Sequence, residues 1–344
     1  MPKISIVCPV YNVGQYIAQF LASLEKQTFQ DFEVIFVYDE SNDDSLRQIE
    51  NFCNKALFKN RTKIILNKEK KGVGYAKDLG FQNSNPSSEY LIFLDSDDYF
   101  DDDYFEVLIN KAEETESDIV CCGYSRISDE DDSLLCKEMV NNPTGTVDIA
   151  NLSFPLFLIN TSVWNKLFRR AIADKCKFGY AKHAEDLYYF LDAIANSKTI
   201  SFINESKYTY LIHHGSLINT MSYDKYQDTC KHFLDYTKYR GNKQLFDLMS
   251  SFIFVRIGIG TTIRVCQSKE KQDKEIIKES KSYLKEHFNI FKKNKYLSFG
   301  FLSKSGKKGL AIWILKILYK LNMFGLAVKI YIHRMKKNKK EIRW

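Results

Sequence analysis

Glu89-Tyr90-Leu91-Ile92-Phe93-Leu94-Asp95-Ser96-Asp97-Asp98 is the stretch that decides the fold. From Tyr90 to Leu94 it is apolar throughout, which reads as a strand buried on both faces of a parallel sheet. It runs straight into carboxylates, Asp95, Asp97 and Asp98, continued by Asp101, Asp102 and Asp103. Open α/β sheets place their ligands just beyond the carboxyl ends of the strands. An Asp-x-Asp there offers hard oxygen ligands to Mg²⁺ or Mn²⁺, and such an ion clamps a diphosphate. The plainer alternative is a solvated acidic turn at a helix N-terminus. That alternative is preferred for Asp101 to Asp103, and the metal reading for Asp95 and Asp97.

Outward from this strand the chain alternates. Lys3 to Pro9 reads as a short buried strand, followed by a turn at Tyr11-Asn12-Val13-Gly14. Apolar residues at Tyr16, Ile17, Phe20, Leu21 and Leu24 have helical spacing. A second strand, Glu33 to Val37, runs into Asp39, Glu40, Ser41, Asn42 and Asp43, and Ser45 to Phe58 reads as the next helix. Lys63 to Leu66 is a third strand, and Gly72-Val73-Gly74 opens a helix over Tyr75 to Asn83. Such alternation predicts a mostly parallel sheet with helices on its faces. Ile119 to Tyr124 adds a fifth strand, Ser128 to Asp148 an exposed hairpin or loop, and Trp164 to Arg170 a helical turn with a basic end. His183-Ala184-Glu185-Asp186 precedes a helix with apolar Leu187, Phe190, Leu191 and Ile194. Asp186 then falls in the first turn, where the helix dipole favours an ionised carboxylate.

The 344 residues suffice for one large α/β domain and a smaller appendage, and 44% hydrophobic with 14% aromatic residues supplies a core. The net charge of +7 is uneven: from Ser268 onward there are roughly twenty-one Lys and Arg against about six acids. That asymmetry points to an anionic surface met by the tail. The eight cysteines have no metal-binding spacing, and Cys8, Cys121 and Cys122 sit in apolar runs, which suits a reduced, cytosolic setting. A strand begins at once with no charged-then-apolar leader, so no secretory signal is expected. No stretch reaches the roughly 18 uninterrupted apolar residues that span a bilayer.

Taken in order, Ser5 to Asn12, Gln27-Thr28-Phe29, Val37 to Ser45, Gly72 to Gly80, Leu94 to Asp98, Trp164-Asn165-Lys166 and Glu185-Asp186 resemble the bacterial family 2 glycosyltransferases, which have the GT-A fold. The resemblance covers Ile4 to Tyr124 strongly and Asn160 to Ser216 moderately. It implies an inverting, hexosyltransferase-type enzyme with a catalytic domain over about 1–222. The donor half of that domain would be about 1–125 and the acceptor half about 126–222, followed by a helical, basic region over 223–344. It implies a nucleotide-diphosphate sugar across the strand ends, with Pro9 and Tyr11 bordering the base and Asp39 accepting from its edge, which suits uracil. Lys77 would lie near the nucleotide, Asp95 and Ser96 in the nucleotide site, and Asp97 and Asp95 on Mn²⁺ or Mg²⁺. His213, His214 and Ser216 lie where related enzymes carry a loop closing on the diphosphate, and His213 is the candidate further metal ligand. Asp186 matches the family's base, with Glu185 beside it. The chain departs from the usual Val-Asp-Asp-Gly-Ser by Tyr38 and Glu40, and has Lys77 and Asp78 where arginine and asparagine are customary. A lysine lacks the planar fork of arginine.

The expected reaction moves a sugar from a nucleotide-diphosphate donor to a hydroxyl of a glycan or lipid-linked glycan of the cell envelope. The alternatives are a catalytically silent nucleotide-sugar-binding or membrane-associated protein, and a sugar nucleotidyltransferase. The second requires a glycine-rich phosphate loop, which Pro9-Val10-Tyr11-Asn12 is not. No nucleic-acid motif accompanies the basic tail. Trp164 is weighed equally as a sugar-pocket floor and as a core residue.

Gly309 to Ile332 is strongly apolar, but Lys316, Lys320 and Lys329 interrupt it, so an interfacial helix pair is expected rather than a span. Lys316 and Lys320, one turn apart, would face water. Arg334, Lys336, Lys337, Lys339, Lys340 and Arg343 would meet the anionic inner face of the cell membrane, giving a cytoplasmic, peripheral location. The competing reading packs these helices on the catalytic domain.

Overall fold

A computed structural model describes residues 1–179, 183–213 and 221–338, with side chains described as far as 333 in the last helix. The chain forms two compact units: Met1–Asn151 with Asn160–Tyr180 and Glu185–Ser216, and Leu152–Ile159 with Ala181–Ala184 and Leu217–Trp344.

In the first unit the expected alternation is present. The strands are β1 (Ile4–Val10), β2 (Phe32–Asp39), β3 (Thr62–Asn67) and β4 (Tyr90–Phe93), and the helices are α1 (Ile17–Lys26), α2 (Ser45–Cys53) and α3 (Val73–Gln82). β1 pairs in parallel with both β2 and β4, and β2 with β3, giving the order β3-β2-β1-β4. All four residues of β4 are buried, as its unbroken apolar run requires. β5 (Tyr99–Phe100), α4 (Tyr104–Thr115) and β6 (Ile119–Ser128) follow, then the short strands β7 (Leu134–Glu138) and β8 (Thr146–Asp148). β7, inside the stretch Ser128 to Asp148 read as a hairpin or loop, pairs back antiparallel on β6.

One local expectation is corrected. Lys166–Arg169 is a strand, β9, antiparallel to both β4 and β6, and the helix begins only at Arg170–Ala173 (α5). Its neighbours are far away in sequence, so no local period announces it. The sheet is completed by β10 (Thr199–Ile212), which follows α6 (Glu185–Asn196), runs parallel to β6 and carries β5 at its far edge.

On one face of the sheet, Ile17, Phe20, Leu21 and Leu24 of α1 meet an aromatic layer in which Phe20, Phe36, Phe52, Phe58, Phe100 and Phe105 are all buried. On the other, α3 lies on β1 and β2 through Gly80. A Cβ there would come within 2.4 Å of Val7 Cγ1 and 2.9 Å of Val37 Cγ2, so only glycine lets the helix sit this close. Gly72, at φ 98°, gives α3 its entry turn.

The second unit is helical: α7 (Tyr223–Phe233), α8 (Lys243–Ile253), α9 (Thr262–Ser268), α10 (Asp273–Phe288), α11 (Phe299–Leu302), α12 (Gly306–Lys320) and α13 (Phe324–Asn338). A π-helical stretch, Phe254–Thr261, joins α8 to α9 in a continuous run of 26 residues. That run is long and apolar enough to cross a membrane, yet 89% of its most apolar window is buried within the chain, the mark of a core helix.

Candidate active site at the strand ends

The register Val10↔Tyr38 and Val7↔Phe93 brings the carboxyl ends of β1, β2 and β4 to one edge of the sheet. The loops after them are laced together. The Asn12 N–H donates to Ser41 Oγ at 3.0 Å, the Gly14 N–H to Asp43 Oδ2 at 2.7 Å, and the Ser96 hydroxyl to the Pro9 carbonyl at 2.8 Å. Ser96 is buried, so its hydroxyl serves as this internal tie. Tyr11 stands out from the edge, 57% exposed, as an open flat ring. Tyr38, where the family has an acid, is buried, and its hydroxyl accepts from the Ser41 N–H at 3.0 Å, stapling the turn after β2.

Asp39 closes β2. Its Oδ1 accepts from Asn67 Nδ2 at 2.5 Å, and burial raises its pKa against that bond and the charge of Lys70. Sequence reasoning missed Asn67. Its signal was its place at the end of β3, directly across from Asp39.

Two of the expected carboxylates converge on one expected cation. The Lys77 ammonium, projected from α3 and 1% exposed, lies 2.8 Å from Asp186 Oδ1 and 3.4 Å from Asp95 Oδ1. Burial works to lower its pKa, but Asp186, Asp95 and Glu185 outweigh it and hold the lysine above its ordinary value. Asp186 is fixed from a second side, its Oδ2 accepting from the Val163 N–H at 3.2 Å. Glu185, on the same first turn of α6, is pushed up to about 7 by burial and by the adjoining Asp186. Burial likewise raises Asp95 to about 6, against the pull of Lys77.

Asp97 pairs separately with His213, at the end of β10, with 2.9 Å between Oδ2 and Nε2. The His213 ring packs on Tyr16, whose hydroxyl donates to Asp129 Oδ2 at 2.9 Å. Asp98, absent from the expected site, sets this geometry. It is buried, accepts from the Tyr208 hydroxyl at 2.7 Å and the Leu211 N–H at 2.9 Å, and so ties the acid loop to the strand that His213 follows. His214 and Ser216 lie outside the described residues.

No group of three or more His, Cys, Asp or Glu among the described residues could hold a metal by itself. The donor set nevertheless fits a diphosphate-bound ion. Mg²⁺ and Mn²⁺ commonly take one or two carboxylates and complete their shells with water and phosphate oxygens. Asp97 Oδ2 and His213 Nε2 lie 2.9 Å apart in a hydrogen bond to each other, so a carboxylate oxygen and an imidazole nitrogen stand side by side there.

The Trp164-Asn165-Lys166 stretch is internal. Trp164 stacks on Tyr208 and Tyr210, at 4.5 and 5.5 Å between ring centroids, which places it in the core. Asn165 Nδ2 donates to the Cys122 carbonyl at 2.7 Å, and Lys166 Nζ to the Ser162 carbonyl at 2.6 Å and Asn165 Oδ1 at 2.8 Å.

A mixed sheet whose first four strands are parallel, with acids at its strand ends and a carboxylate on a following helix, is the architecture of a GT-A glycosyltransferase. The crystal structure of Staphylococcus aureus TarS 1-349 has this fold, with a TM-score of 0.68 at 18% identity over 99% of this chain and 93% of that one. Residues 5–176 match the family model described as glycosyl transferase family 2, and the chain belongs to that family. Glycosyltransferase GlyA of Streptococcus pneumoniae is 28% identical over 224 residues, 62% of this chain and 31% of that protein. The putative glycosyltransferase EpsH of Bacillus subtilis is 29% identical over 226 residues, 63% of each chain. The matched region is thus less than two thirds of either relative.

Proposed function

We propose that this chain is an inverting glycosyltransferase that moves one sugar from a nucleotide-diphosphate donor, a UDP-sugar by preference, to a hydroxyl of an envelope glycan. The observation that carries the reading is the placement of Asp186 beside the strand-end Asp95, both anchored on Lys77. The fold neighbour TarS has also been crystallised in complex with UDP-GlcNAc.

The base of the nucleotide would lie against Tyr11 and the Pro9 turn, donating from its imide N–H to Asp39. Asp95 would meet the ribose or the metal, and Asp97 with His213 would hold Mn²⁺ or Mg²⁺. When bound, that ion would supply positive charge to the departing diphosphate. Asp186 would accept the proton of the acceptor hydroxyl as its oxygen bonds to the anomeric carbon. The carbon–oxygen bond to the diphosphate breaks, and its electron pair leaves with the nucleotide. The transition state carries oxocarbenium-like charge, so a carboxylate opposite the leaving group is well placed. Lys77 holds Asp186 and Asp95 in position from beneath.

The test is release of nucleoside diphosphate from a panel of nucleotide sugars, with Mn²⁺ present, by the unaltered chain, Asp97→Asn and Asp186→Asn. Asp186→Asn should lose at least ~10²-fold in turnover while retaining donor affinity. Asp97→Asn should weaken donor binding. Near-normal turnover in Asp186→Asn would remove it as the base, and full activity in excess chelator would remove the metal.

A further inference from the structure

The apolar tail divides into two faces. Gly309, Ile312, Tyr319, Phe324 and Val328 point inward and are buried. A Cβ at Gly309 would lie 2.0 Å from the Leu302 carbonyl oxygen, and the Tyr319 ring stacks on Phe324 at 3.8 Å. The Tyr319 hydroxyl also bonds to the Gly258 carbonyl and meets Ser280 Oγ at 3.1 Å. α12 and α13 are therefore fastened to their own unit, and this half of the apolar content is committed to packing.

The other half is not. Leu310, Ile314, Leu321, Met323, Leu326 and Ile330 are 42 to 59% exposed. Leu310 and Ile314 stand one turn apart on α12, as do Leu326 and Ile330 on α13, and Leu321 and Met323 project from the turn between them. Exposed lysines surround them: Lys307 and Lys308 at the start of α12, Lys320 at its end, and Lys329 on α13. Lys316 corrects the expectation that it faces water. Its ammonium donates to the Leu297 carbonyl at 3.1 Å, and burial with the nearby charge of Lys320 lowers its pKa.

We propose that this outer face of α12 and α13 docks on an anionic lipid leaflet. The charge pattern selects the occupant, because from His287 to Lys340 the sequence contains no Asp or Glu. α12 and α13 therefore offer cations and no carboxylate of their own, a one-signed pattern that suits an anionic surface. Aliphatic side chains spaced among cations of one sign match a bilayer, whose phosphates take the lysines while the acyl boundary takes the leucines. The apolar helix Phe324–His333 is too short to span, so the helices would lie in the interface. The inference is independent of the catalytic reading and its test needs no turnover.

The test is flotation of the full chain with phosphatidylcholine vesicles and with vesicles of equal parts phosphatidylcholine and phosphatidylglycerol. Flotation is expected with the anionic vesicles alone, falling at least ~10-fold from low to high salt as screening shortens the reach of the lysines. Leu310→Ser combined with Ile314→Ser and Leu326→Ser should melt like the parent, since these side chains are exposed, but should lose flotation. Protein that stays in solution with anionic vesicles at low salt overturns the proposal. So does equal flotation with neutral vesicles, or by the triple variant. Absent flotation, a dimer in light scattering that the triple substitution dissolves would show that a second copy covers this face, and would also overturn it.

Discussion

Replacing Lys77 by methionine keeps the length of the side chain and removes its charge, leaving Asp95 and Asp186 facing each other across a buried site. At an effective dielectric constant of ~20, the contacts at 2.8 and 3.4 Å correspond to about 6 and about 5 kcal/mol of attraction before desolvation. Desolvating the ammonium offsets most of this, and removing one partner of a buried pair typically costs about 3–5 kcal/mol. The Asp186 and Asp95 side chains retain 17 and 29% exposure, so water recovers part of the loss and the net cost should be about 2–4 kcal/mol. In calorimetry near neutral pH, a loss of about 3 kcal/mol should lower the melting temperature by about 6–12 °C.

A double-mutant cycle separates the pairing from lost packing. Asp186→Asn removes the closer carboxylate charge, so Lys77→Met should cost less in that background, with a coupling energy of about 1–3 kcal/mol. Lys77→Arg keeps the charge but forces a larger group into the site, and should lose about 1–3 kcal/mol by overpacking alone. If Lys77→Met shifted the melting temperature by less than about 2 °C, or the cycle showed no coupling, the lysine would not be what holds the two carboxylates together.

Asp78 offers a pH-dependent test. Burial raises its pKa to about 6, with the Phe178 N–H and Lys177 opposing, so the folded state holds the proton more tightly than the unfolded chain does. Its contribution is therefore best below about pH 4 and is lost as the pH rises through about 6. Asp78→Asn, whose amide oxygen can still accept from the Phe178 N–H, should gain about 1–2 kcal/mol above that range, allowing for solvent screening. Melting curves of the two proteins across pH check this, and parallel curves would refute it. Gly80→Ala should cost about 1–3 kcal/mol in urea unfolding, because the new methyl meets Val7 and Val37, and should weaken donor binding by shifting the helix that carries Lys77. An unchanged midpoint would mean that α3 is free to move off the sheet.

What could be read from the sequence was what is written locally. β4 and its acid loop, α1 with its one-sided apolar spacing, and the entry of α3 at Gly72 all depend on neighbouring residues. The candidate site was legible to the same extent, since Asp39 closes one recognisable strand and Asp95 and Asp97 lie in the loop directly after another. β9 was misread because Lys166 to Arg169 has no period of its own and is a strand only through its pairing with β4 and β6. Asn67 and Asp98 were missed for a related reason. Their roles are partnerships, Asn67 with Asp39 and Asp98 with Tyr208 and Leu211, and a polar residue at a strand end does not reveal its partner.

The departures from the family pattern have a common physical sense. Tyr38, Lys77 and Asp78 are all buried, and each satisfies a polar group of its own framework: Tyr38 the turn at Ser41, Asp78 the Phe178 N–H, Lys77 the carboxylates of Asp95 and Asp186. A lysine suits its position because two acids approach one point from different elements, β4's loop and α6, and a compact ammonium can serve both where a planar fork would favour a single carboxylate. The substitutions thus compensate interior chemistry. By contrast Glu40, which replaces the family's glycine, is exposed and lies 3.4 Å from Lys70. Of these four departures it is the exposed one, directly after Asp39 in the sequence, and on the proposed reading of Asp39 it is the one that bears on nucleotide choice.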